Sequence, residues 1–184
     1  MKKIISRALA CLIFLSFFMY GSAQTLSNED IKAQMVKDWQ RAKAYTIEYL
    51  NTMPADKYSF KAVDSIRSFA QQMIHLAQGN YFLMSNATDQ QMPAWMMSDP
   101  EHRNSAQVKD SVMYYVISSY DFCINGVQNS DVNKWGEMKK VRERTGETRF
   151  ALMNKAYEHQ THHRGQTTIY IRLLGIRPPQ EQLF

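Results

Sequence analysis

The sequence has few cysteines, glycines and prolines. Of its 184 residues, two are cysteine, seven are glycine and five are proline. The cysteines are Cys11 and Cys123, so at most one intrachain disulfide is possible and cross-links do not organise the fold. A β-fold with many tight turns needs more glycine and proline than this. Their scarcity therefore favours a helical domain that is stabilised by a packed core.

A block of lysine and arginine is also missing, although the formal net charge is +5. Nucleic-acid-binding domains concentrate basic residues on one helix or one stripe. Here Lys2, Lys3 and Arg7 account for three of the 22 basic residues, and 17 residues are acidic. Without those three the net charge falls to +2, and we expect no nucleic-acid partner.

Long hydrophobic runs are absent with one exception, at the N-terminus. An apolar stretch from Ala8 to Tyr20 follows the basic residues and ends in the small residues GSA. This order is typical of a cleaved signal peptide, and the stretch is shorter than the roughly 20 residues of a membrane-spanning helix. We predict a signal peptide over 1–23, cleavage near Ala23, and an exported (periplasmic or secreted) domain over 24–184 without a stable membrane anchor. An uncleaved anchor is the alternative.

Four segments carry apolar residues at three- or four-residue spacing, which indicates helices. Capping signals mark two of the starts, at Ser27 and at Ser68, where the sequence SFAQ forms a capping box. Gly175 followed by Pro178 and Pro179 marks the last end. The predicted helices span 28–51, 68–86, 105–126 and 147–174. They predict one all-α domain, a four-helix bundle without a sheet.

Two histidines lie on one face of the fourth predicted helix. The face consists of Leu152, Ala156, His159, His163, Thr167, Tyr170 and Leu174. Its apolar ends indicate that it points into the bundle, and His159 and His163, one turn apart, can then bind one metal ion. Two core histidines that are satisfied by hydrogen bonds are the alternative. His162 competes with His163 for the inward position and is expected to be peripheral.

His75, near the middle of the second predicted helix, is the candidate third ligand. Gly79 follows one turn later, and a glycine inside a helix costs about 1 kcal/mol relative to alanine. We therefore expect a ligand, a bound water or a packed helix to approach closely at Gly79. Gln72 and Tyr170 are the polar groups expected to face the metal.

Common metal motifs do not fit this pattern. Residues 159–163 are HQTHH, so the HExxH motif of zinc proteases and its glutamate base are absent. What remains is a site with three histidines and one divalent transition metal. Three protein ligands leave coordination positions open. Nitrogen ligands suit zinc or nickel, with iron or copper as alternatives.

The C-terminal segment resembles the signature of DinB-like proteins. Residues 159–166 are HQTHHRGQ and residues 170–179 are YIRLLGIRPP. The family pattern is roughly H-x-x-x-H-R-G-Q followed by Y-L-R-x-x-G-x-x-P-P. The segment 68–77 also resembles the second helix of the family around its first metal histidine. The resemblance covers about residues 28–180.

The resemblance implies an antiparallel four-helix bundle, a site for a divalent metal at His75, His159 and His163, and frequent homodimers. Arg164 and Gln166 belong to the motif. Arg164 would either form an inter-helix salt bridge or bind an anionic group of the substrate, and we expect Gly165 to let a neighbouring helix approach. Some relatives are transferases or isomerases that use low-molecular-weight thiols. Those thiols are cytosolic whereas this chain is predicted to be exported, so the resemblance is carried to the site and not to the reaction.

Two functions follow for the whole chain. The first is a metal-dependent transferase or hydrolase that acts on a small molecule. The second is a non-catalytic metal- or ligand-binding module, in which the metal stabilises the fold. A third hypothesis is a partner-binding protein that uses the long loop over 87–104, where Trp95, Met96 and Met97 are expected to fold back onto the bundle as a lid or a plug. Whether the bound metal has an open coordination position distinguishes the first function from the second.

Overall fold

The computed structural model describes residues 25–141 and 146–184. The predicted signal peptide over 1–23 lies outside these ranges. Among the described residues, no helix has both the length and the apolar character that crossing a bilayer requires.

Four long helices make up most of the described part of the chain, and they confirm the predicted all-α fold. They are α1 (Asn28–Thr52), α2 (Phe69–Thr88), α3 (Lys109–Gln128) and α4 (Arg149–Leu173). Helix α2 packs most extensively against α4 and α3, and α1 packs against α3 and α4. The two helices that carry the predicted histidines, α2 and α4, are therefore direct neighbours.

Local capping explains where α2 begins and ends. The Ser68 hydroxyl accepts a hydrogen bond from the backbone N–H of Gln71, and the Gln71 side chain accepts one from the backbone N–H of Ser68. This is the predicted capping box. At its other end the helix runs to Thr88, two residues further than predicted, and Asp89 with a φ of 61° ends it.

Helix α3 begins later than the prediction of residue 105. Residues Asn104–Ala106 form a separate 3-10 turn, and Val108 is extended at the N-cap, so the α-helix starts at Lys109. Val108 has no polar side chain that could cap the helix, and no side-chain hydrogen bond is formed at this end.

A short pairing of two strands departs from the predicted absence of a sheet. Strand β1 (Met138–Lys139) pairs antiparallel with β2 (Glu147–Thr148), directly before α4. Each strand has two residues, which is too short for the alternating pattern that identifies a strand in a sequence. Trp135 stacks on Phe150 with ring centroids 5.2 Å apart and anchors this connection on α4.

The long loop between α2 and α3 folds back onto the bundle through Trp95, as predicted. The Trp95 ring lies 4.4 Å from that of Tyr115 and 5.3 Å from that of Tyr81, centroid to centroid. Met97, by contrast, is exposed, so the expectation that it also folds back onto the bundle is wrong. One aromatic side chain therefore attaches the middle of this loop to α2 and α3.

Replacing Ser68 by alanine should lower the free energy of unfolding by about 1 kcal/mol, because α2 would lose the side-chain acceptor at its N-cap. Urea titration followed by circular dichroism measures the change. Ser105→Ala is the matched control, since Ser105 is exposed and caps no helix. Equal stability of the two variants would show that the capping box does not stabilise α2.

Candidate metal centre

The structure brings three histidines from two helices together. His75 comes from α2, and His159 and His163 come from α4. One side-chain nitrogen of each can be chosen so that the three lie within 4.8 Å of one another. The ring centroids are 5.3 Å apart for His75 and His159, 4.6 Å for His75 and His163, and 4.4 Å for His159 and His163. The clustering expected from the sequence is confirmed.

Gly79 makes room for the His159 ring. A Cβ atom at position 79 would lie 2.8 Å from Nε2 of His159 and closer still to Nδ1 and Cε1. Any side chain there would therefore displace the ring. The close approach expected at this glycine is confirmed, and what approaches is one of the three histidines.

Two of the rings are held by protein acceptors at Nδ1. Nδ1 of His163 lies 2.8 Å from Oε1 of Gln72, and Nδ1 of His75 lies 3.2 Å from Oε2 of Glu101. Both partners are oxygen acceptors, so each Nδ1 carries the proton and donates it. The opposite nitrogen, Nε2, is then unprotonated, which is the tautomer that a metal ligand needs.

Glu101 was overlooked in the sequence, which showed no acidic residue placed near the histidines. Its side chain is about 10% exposed, and Oε1 accepts a hydrogen bond from Nε of Arg67 at 2.5 Å. Its backbone carbonyl accepts from the side chains of Gln71 and Gln107. Glu101 lies in a polar loop without periodicity, so no sequence pattern distinguishes it from an ordinary surface carboxylate.

The histidines are kept neutral by their surroundings. Burial is the main cause that lowers the pKa of His163 to about 3 and of His159 to about 4, and repulsion from the other imidazoles and from Arg67 adds to it. Burial also lowers the pKa of His75, although the Glu101 carboxylate opposes this shift. Neutral imidazoles do not have to release a proton before they bind a metal.

The donor set fits a divalent transition metal. Nδ1 of His159 is buried and has no hydrogen-bond partner among the described residues, which costs free energy in a protein interior. A metal ion at the meeting point of the three rings would engage their lone pairs. Three neutral imidazoles with protein acceptors behind two of them form the usual arrangement of histidine ligands and their supporting groups.

Tyr170 and Gln166 have hydrogen-bond partners outside the three rings. The Tyr170 hydroxyl donates to the backbone carbonyl of Arg67 at 2.7 Å. Nε2 of Gln166 lies 3.0 Å from Nε2 of His162. Of the polar residues predicted around the metal, Gln72 forms a hydrogen bond with a histidine of the cluster.

Arg164 does not form the expected inter-helix salt bridge. Its side chain is buried, and Nη1 donates to Oε1 of Gln160 at 3.0 Å, while the guanidinium stacks 4.6 Å from the centre of the Tyr45 ring. In the described ranges no carboxylate pairs with it. A cation–π contact and neutral acceptors replace the ion pair.

The neighbours of His163 on α4 lie on the outside. His162 is exposed, as expected. The expectation that a helix packs against Gly165 is wrong, because a Cβ atom there would meet nothing within 4 Å. His102 is exposed too and pairs with Asp99 at 2.9 Å.

The DinB family model matches residues 19–183 of the chain. This chain belongs to the DinB family. Two solved structures have the same fold. A DinB-like protein from Bacillus cereus ATCC 10987 aligns with a TM-score of 0.67 at 13% identity, over 80% of this chain and 95% of its own. A DinB-like protein from Bacillus subtilis aligns with a TM-score of 0.60 at 18% identity, over 82% and 96%. The comparison with curated proteins gave no match.

Replacing Gly79 by alanine should displace the His159 ring, because the new methyl group would overlap it. We expect metal affinity to fall by more than about tenfold, the range observed when the orientation of a metal ligand is disturbed. Titration with Zn²⁺ in the presence of a chromophoric competitor measures the affinity.

Gly165→Ala is the matched control, since it also replaces a glycine inside a helix but faces open space. Its metal affinity should be unchanged, and its stability should rise by up to about 1 kcal/mol through helix propensity. Unchanged affinity in Gly79→Ala would show that His159 is not a ligand.

Proposed function

We propose that this member of the DinB family binds one divalent transition metal through His75, His159 and His163 and acts on a small molecule as a metal-dependent transferase or hydrolase. The observation that carries the proposal is the meeting of three imidazoles, of which one nitrogen each lies within 4.8 Å of the other two. Zinc or nickel suits the all-nitrogen ligands.

Three protein ligands leave positions free for a substrate, which is the arrangement of catalytic rather than structural zinc sites. When bound, the metal would supply Lewis acidity to a substrate atom. Gln72 and Glu101 fix two of the rings, so the ligands are oriented before the metal arrives. The His75 side chain is 31% exposed, which gives the site an approach from solvent.

Glu101 also places a carboxylate against one of the three rings, that of His75. It accepts from both His75 and Arg67, which keeps its negative charge compensated in a mostly buried place. The basicity of the His75 ring rises when its Nδ1–H donates to a carboxylate. Glu101 therefore strengthens His75 as a ligand.

Replacing His163 by alanine should abolish stoichiometric metal binding, and replacing His162 should not. The helix turns about 100° per residue; His163 is buried beside the other two rings whereas His162 is exposed. Elemental analysis of the purified proteins measures the metal content, with circular dichroism as the check that both variants fold.

If His162→Ala loses the metal and His163→Ala keeps it, then His162 is the ligand and His163 is not. Full metal content in both variants would mean that the histidines are core residues. A paramagnetic metal ion in the site would also show, through the relaxation of water protons, whether the bound metal exchanges a solvent molecule. If it does not, the non-catalytic module is the better interpretation.

We also propose that the protein is exported, on the basis of the basic, apolar and small-residue order over residues 1–23. Sequencing of the mature protein from the expressing cells should give an N-terminus at or near Gln24. Replacing Ala23 by phenylalanine should block cleavage, because the residue before the cut must be small. A cytoplasmic protein that keeps Met1 would contradict the proposal.

A further inference from the structure

Arg67 lies directly before α2, and most of its guanidinium is unused. Nε donates to Glu101 at 2.5 Å, and among the described residues Nη1 and Nη2 have no hydrogen-bond partner. The side chain is 40% exposed. Two nitrogens that carry hydrogen-bond donors are therefore available to a molecule from solvent.

Glu101 holds this guanidinium beside the metal centre. One of its oxygens accepts from Arg67, and the other accepts from Nδ1 of His75, so a single carboxylate separates the arginine from a metal ligand. The Arg67 backbone is fixed as well, because its carbonyl accepts from the Tyr170 hydroxyl of α4 at 2.7 Å. The positive charge of Arg67 also acts on all three clustered rings, where it contributes to lowering the pKa of each.

The charges at this edge favour an anion. Among the described residues, the one carboxylate that pairs with these rings belongs to Glu101, and it is already shared between Arg67 and His75. A divalent cation bound by the rings would add two positive charges. The sum is positive, and a guanidinium with free donors matches the geometry of a carboxylate.

We propose that Arg67 binds a carboxylate of the small-molecule ligand while another atom of that ligand occupies the open position on the metal. This inference rests on the proposed metal site and names its substrate class: small anionic molecules with a metal-binding atom a few bonds from the carboxylate.

Two other basic groups are less suited to this role. His162 is exposed, with its ring centroid 4.9 Å from that of His163, but its Nε2 is already paired with the amide nitrogen of Gln166. Arg164 is buried, and its Nη1 donates to acceptors on α1 and to Gln160. His162 therefore offers a matched control beside the site.

The test uses cobalt-loaded protein and two probes of the same length, 3-mercaptopropionate and its neutral amide. Each binds the metal as a thiolate after releasing its proton to the buffer, and the sulfur-to-cobalt absorption band reports binding. We expect the carboxylate probe to bind at least about tenfold more tightly, the effect of a charge-assisted pair. Arg67→Gln should bring the ratio of the two affinities close to one at unchanged cobalt content.

His162→Gln should show the same ratio of the two probe affinities as the wild-type protein. Arg67→Lys keeps a positive charge but loses the paired donors, so its ratio should fall severalfold. If Arg67→Gln does not fold or load cobalt, the result for Arg67→Lys decides.

An unchanged ratio in the Arg67 variants would overturn the inference, because the probe carboxylate would then be chelating the metal itself. Equal affinity of both probes for the wild type would overturn it too. Failure of the wild type to bind cobalt, or cobalt that accepts neither thiolate, would instead reject the proposed metal centre.

Discussion

The contact between Gly79 and the His159 ring sets the geometry on which the rest of the site depends. It lies between α2 and α4, the most extensively packed pair of helices. Because nothing larger than hydrogen stands at position 79, the imidazole can lie against the backbone of α2 rather than force the helices apart. His75, one turn before the glycine, then comes alongside His159, and His163, one turn further along α4, completes the cluster.

The polar groups behind the rings complete this arrangement. A buried imidazole has to satisfy two nitrogens, and one face of a helix rarely offers enough partners. Gln72 on α2 provides the hydrogen-bond acceptor for His163, and Glu101 in a loop provides the acceptor for His75. The rings of His75 and His163 therefore have a fixed tautomer, whereas the His159 ring is oriented by packing alone.

Much of this arrangement could be predicted from the sequence because its signals are local. The apolar residues that share a face with His159 and His163 show that this face of α4 points inward. A glycine inside a helix indicates a close approach, and a capping box marks the start of α2. Glu101 could not be predicted, since its role depends on where a loop returns in space. Arg164 was expected to find a carboxylate, but the inward position it occupies meets an aromatic ring and neutral acceptors instead.

Glu101 reaches the histidines from a loop, and this has a thermodynamic consequence. The carbonyl of Glu101 accepts hydrogen bonds from Gln71 on α2 and from Gln107 ahead of α3. These bonds fix the position of the loop relative to the rings. A ligand that strengthens the hydrogen bond between His75 and Glu101 also stabilises this position of the loop. Because linked equilibria are reciprocal, anything that stabilises this position of the loop strengthens ligand binding at His75 by the same factor. A molecule that pulls the loop away would therefore loosen the site without touching a single histidine.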